Sequence, residues 1–148
     1  MKNIFHHKGA TLIEIAITVL ILSTSLLAMA TLQTRSLQFN KSAVLRSQAN
    51  IFAYDIIDRI RINRGAASVN IPFYTADYSA TPSGNSVATS DVSEWRTNLA
   101  NALPNGEGKI SCDQVTRICS VRIRWSEEQI FGSSSTDATS ELVYSSSI

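Results

Sequence analysis

Few residues in this chain have the chemistry to do more than fold. Two cysteines, Cys112 and Cys119, lie seven residues apart in the polar C-terminal half. They flank a turn between two β-type runs, which reads as a disulfide formed outside the cytoplasm. One carboxylate, Glu14, is the only charge in an otherwise apolar run from Ala10 to Leu32. Both histidines, His6 and His7, precede that run. No histidine and no third cysteine is left further along to complete a zinc site, and no metal or cofactor is expected. No Gly-rich phosphate loop occurs, and beyond residue 7 there is no imidazole to serve a catalytic triad. The residues therefore point away from an enzyme, towards a protein that is cross-linked, inserted and assembled.

The elements that must position these residues follow from hydrophobic patterning. At 148 residues with 44% hydrophobic and 17% charged side chains, the chain has room for one compact domain and one extended element. Its net charge of +1 gives no overall attraction for nucleic acid or an anionic membrane surface. The 23 residues from Ala10 to Leu32 suffice to cross a bilayer core. No Gly or Pro occurs from Ala10 to Arg64, so one helix can run through all of it, on the order of 80 Å at 1.5 Å per residue. In its second half, Leu45, Ala49, Phe52, Ala53, Ile56 and Ile60 recur every three or four residues and form a stripe that needs a cover. Asp55 with Arg59, and Asp58 with Arg61, are pairs at helical neighbour spacing on the other side, and Gly65 suits the residue that ends the helix. The arginines at 59, 61 and 64 read as a charge-matched helix end rather than a nucleic-acid site, since no aromatic side chains interleave them.

From Ala66 to Ser90 the composition predicts a long surface loop. A short helix capped by Asp91 or Ser93 is expected next, with Val92, Trp95, Leu99 and Leu103 on one face, ending at Pro104-Asn105-Gly106. Strands are expected over Lys109–Asp113 and Arg117–Trp125, and a third over Glu141–Ser145 after the Gly132-Ser133-Ser134-Ser135 loop. The fold class is therefore α+β: a long N-terminal helix with a membrane-spanning first half, laid against a small antiparallel sheet of three or four strands.

Three readings of the N-terminus compete. Lys2 and Lys8 followed by an apolar stretch and Ala28-Met29-Ala30 fit a secretory signal cut after Ala30, although the stretch is longer than usual and contains Glu14. A plain signal anchor leaves Glu14 at a cost of about 2.5–3.5 kcal/mol at the bilayer centre, and less near an interface. The third reading accounts for the charge. Lys8-Gly9-Ala10-Thr11-Leu12-Ile13-Glu14 and the helix behind it resemble the class III signal of type IV prepilins and type II secretion pseudopilins.

This resemblance implies a leader over residues 1–9, cut after Gly9 by a prepilin peptidase that N-methylates Ala10. The mature chains of that family mostly begin with Phe or another large apolar residue, and here the residue is Ala10. A new amine at Ala10 would lie one helical turn from Glu14, and in a stack of offset subunits the Glu14 of one would meet the amine of another. Residues 10–32 would form the transmembrane and assembly half of the helix, 33–64 the amphipathic half, and 65–148 the globular domain. Further matches in the helix, Leu32 to Gln38, Leu45 to Ala49 and Ala53 to Arg64, together with the Cys112 to Trp125 hairpin, are similar to minor pilins of the PilV (GspI-like) type. The resemblance implies a type IV pilin fold, the inner membrane as first location and the pilus fibre as the second. The implied partners are other minor pilins and the major pilin through the N-terminal helix, and a PilY-type adhesin. A type II secretion pseudopilin and a soluble secreted binding domain remain the alternatives.

Overall fold

The computed structural model describes residues 11–65, 70–80, 86–132 and 138–148. Gly9 and Ala10 lie outside them. The chain divides into two compact units, Met1–Phe39 and Asn40–Ile148.

Beyond Thr11, the described part of the first unit is helix only. It is the beginning of α1 (Leu12–Asn63), which runs without interruption through a stretch free of Gly and Pro. Its large side chains are exposed, from Leu12 at 88% to Phe39 at 64%. Six hydroxyls here turn back onto the backbone. Thr18, Ser23, Thr24, Ser25, Thr31 and Thr34 each donate to a backbone carbonyl three or four residues earlier. This folds their polarity back onto the helix backbone.

The second unit packs the remainder of α1 with α2 (Ser86–Ala102) and a three-stranded antiparallel sheet of β1 (Glu107–Asp113), β2 (Ile118–Ser126) and β3 (Thr139–Ser147), in the order β1-β2-β3. A one-turn helix, α3 (Glu128–Phe131), follows β2. The expected stripe is the buried one: Leu45, Ala49, Ala53, Ile56 and Ile60 are in the core with Ile57, and Phe52 is partly buried beside them. Against them lie Val121, Ile123 and Trp125 of β2 and Ile110 of β1, while Arg122 and Arg124 point outward. Gly65, at φ 70°, takes the left-handed conformation that ends a helix.

Two expectations are corrected. The second helix begins at Ser86 rather than at Asp91 or Ser93, because Ala88 is fully buried and adds a turn to the Val92-Trp95-Leu99 face. Burial there overrides a Ser- and Thr-rich start of low helix propensity. The stretch before it is not loop throughout: Ile71–Tyr74 forms a 3₁₀ turn with Ile71 and Tyr74 buried, and Ala76 pairs with Ile110 on the outer edge of β1. That bridge occupies an edge that would otherwise be open to other strands. β1 begins two residues earlier than expected, β3 is two residues longer at each end, and β2 keeps its expected length one residue further along, as the ladder pairing sets their ends.

Candidate functional site

Three groups of side chains carry the chemistry, and each belongs to one unit. In the first unit, Thr11 precedes the first residue of α1, and its Oγ1 accepts the backbone N–H of Glu14 at 3.3 Å. Thr11-Leu12-Ile13-Glu14 thus has the spacing of a capping box, a local reason for a carboxylate in the first helical turn. The same position lets the carboxylate complement the positive end of the helix dipole. The place of the carboxylate in the first turn was legible in the sequence. Among the described residues one helix, Leu12–Asn63, is long and apolar enough to cross a membrane, and the side chains of its most apolar stretch are uncovered.

In the second unit, Cys112 and Cys119 are bonded to each other. They face each other across β1 and β2. Ile110 turns its N–H and C=O outward to Ala76, so Cys112, on the same alternation, is in a non-hydrogen-bonded pair with Cys119, where cross-strand side chains approach most closely. The turn between the strands is held by Asp113, whose Oδ1 accepts the N–H groups of Val115 and Thr116. Those two donors hold the Asp113 carboxyl below its ordinary range. Arg117 closes the turn at φ 56°.

The third group joins α1, the 3₁₀ turn and α2. Arg59 faces Asp55 at 3.2 Å, Glu94 at 3.1 Å and Asp91 at 3.5 Å. The bond to Glu94, with Asp55 adding to it, raises its basicity further. The buried Tyr74 hydroxyl donates to Asp91 and accepts from Asn63 Nδ2 at 2.9 Å. Burial, then the Asp91 carboxylate, pushes the Tyr74 phenol above its ordinary range. Asp91 therefore fastens this junction and does not cap a helix. Arg61 pairs with Asp58 at 2.8 Å and reaches Ser146 Oγ of β3 at 2.7 Å.

Two further polar contacts had no signal in the sequence. Glu127, 1% exposed, accepts from Ser42 Oγ at 3.1 Å and from Trp125 Nε1 at 2.9 Å, linking α1 to the end of β2. Arg96 directs its guanidinium to the carbonyls of Asp77, Ala80 and Gly108, holding the segment after the 3₁₀ turn against β1. Among the described residues no cluster of His, Cys, Asp and Glu has the form of a metal site.

Comparison with protein-family models, with characterised proteins and with solved structures gave no match to this chain.

Proposed function

We propose that the chain is a minor-pilin-type subunit of the PilV (GspI-like) kind, processed after Gly9, which helps to prime type IV pilus assembly in company with sister subunits. The observation that carries this reading is the uncovered apolar surface of α1. It continues past the alternative cleavage point at Ala30, with Leu32 70%, Leu37 69% and Phe39 64% exposed, and within the second unit Val44 and Ile51 are also more than half exposed. A soluble domain released after Ala30 would leave those side chains in water. A subunit packed among neighbouring helices buries them, at about 25 cal/mol per Å² of apolar surface removed from water.

On this reading Glu14 aligns an incoming subunit by meeting the terminal amine of Ala10 in another, and the stapled sheet faces outward. The partners are other minor pilins and the major pilin through the helix, the prepilin peptidase in the inner membrane, and a PilY-type adhesin at the tip. No catalytic residue and no cofactor is assigned. A type II secretion pseudopilin would share the processing, the helix and the role of Glu14 but serve protein export, and a secretion assay on a deletion strain separates the two.

The test is N-terminal sequencing with intact mass on the membrane and sheared-fibre fractions. A methylated start at Ala10 is expected, and Glu14→Ala should then leave the protein in the membrane fraction and absent from the sheared one. A start at Thr31 would overturn the reading in favour of a secreted domain.

A further inference from the structure

The outward face of the sheet sets two cations side by side, each with a carboxylate near it. Lys109 of β1 and Arg122 of β2 stand directly opposite each other in register, and like charges so placed are destabilising. Compensation around them is unequal. Lys109 has Asp77 at 3.4 Å, and Arg124, one row along, pairs with Glu107 and stacks on the Tyr78 ring at 3.9 Å. Arg122, whose side chain is 52% exposed, has its nearest carboxylate, Glu141, at 3.9 Å, beyond hydrogen-bond distance. The Glu141 oxygen in question accepts instead from Tyr78 at 3.0 Å.

Beside this pair the register places a row of hydroxyls, Ser111, Ser120 and Ser145, with Ser145 donating to Ser120 at 3.1 Å. Tyr78, Lys109, Ser111, Ser120 and Arg122 line one open depression of about 290 Å³. It therefore joins a planar guanidinium fork, an ammonium and two hydroxyls around a space larger than a single ion, with the Asp77 and Glu141 carboxylates beside the two cations.

We propose that this depression binds an oxyanion of the phosphate class carried on a sugar-sized body. Arg122 makes the paired hydrogen bonds that guanidinium offers to such groups, Lys109 supplies the second charge, and Ser111 and Ser120 donate to the remaining oxygens. The bound anion separates the two cations and removes their repulsion. The site is independent of how the N-terminus is processed.

The test uses the full chain in uncharged detergent micelles, labelled with ¹⁵N and titrated with glucose 6-phosphate and with inorganic phosphate, against sodium chloride at equal ionic strength. Saturable shifts are expected at the Arg122 side-chain N–H and at the Ser111 and Ser120 amides. Arg122→Gln should weaken binding by about tenfold, the loss of a charged hydrogen-bond donor. The same substitution should leave thermal stability without phosphate close to that of the parent, because it removes both the repulsion with Lys109 and the long, exposed pairing with Glu141. Saturation with either probe supports the site, and tighter binding of the sugar phosphate places its body in the depression. Shifts that fail to saturate with both, that chloride reproduces, or that persist unchanged in Arg122→Gln would overturn it.

Discussion

At the scale of single residues, the polar groups inside the second unit act as fasteners between distant parts of the chain. Tyr74 is fully buried, yet its hydroxyl joins Asn63 on one side and Asp91 on the other. Its phenol is held above the ordinary value, so the native state binds that proton more tightly than the unfolded chain does. The contribution is therefore complete below about pH 10, the ordinary tyrosine value, and is lost as pH rises from there towards the folded value. Urea unfolding followed between pH 8 and 11 should show stability falling at the upper end, and Tyr74→Phe should reduce that slope while lowering stability at pH 8 by about 1–3 kcal/mol. Asp113 acts in the opposite sense. Its lowered carboxyl contributes above the ordinary Asp value and loses that contribution as pH falls through its folded value. Asp113→Asn keeps an oxygen to accept the turn amides, so it should flatten the acid limb of the stability profile while leaving the hairpin intact by circular dichroism. The aspartate's place next to a turn was legible in the sequence. Tyr74 was not, because it fell in a segment whose composition reads as loop.

At the scale of elements, the sheet and α2 are matched to each other at one glycine. A Cβ on Gly108 of β1 would stand 2.2 Å from the Trp95 ring of α2, which is fully buried and donates its indole N–H to the Phe52 carbonyl of α1 at 2.9 Å. The ring cannot retreat without breaking that bond. Gly108→Ala should therefore destabilise the second unit by about 1–3 kcal/mol, the usual effect of overpacking, seen as a lower thermal midpoint with loss of Trp95 fluorescence burial. The cysteine staple lies in the same hairpin and closes a short loop. Replacing both cysteines by serine should cost about 2 kcal/mol and leave a folded domain, because the turn is already held by Asp113 and the strands by their registers. The alternation of Cys119, Val121, Ile123 and Trp125 was sufficient to locate this hairpin. The buried face of α2, Val92, Trp95, Leu99 and Leu103, was legible from its own residues, but its start was not, since its first turn depends on a cover supplied by other elements.

At the scale of the whole molecule, the two units differ in what they require from their surroundings. The second unit has a closed core that includes both tryptophans and the buried stripe of α1. A chain beginning at Asn40 should accordingly be soluble and monomeric and unfold cooperatively with its disulfide formed, as gel filtration and calorimetry would read. A fragment that aggregates or melts without a transition would show that the helix before Phe39 contributes to this core. What the sequence determined by itself was local: a helix through a stretch without Gly or Pro, the face it would bury, the strand faces and the pairing of two cysteines seven residues apart. These depend on periodicity and on short-range geometry, which any segment carries within itself. The tertiary structure alone decided where α2 begins, that Ala76 would close the edge of β1, that Arg96 would bind three carbonyls, and that Glu127 would be buried against Ser42, 85 residues away. Each of these depends on a partner distant in the chain, and a polar group's partner becomes defined only when burial removes water as the alternative.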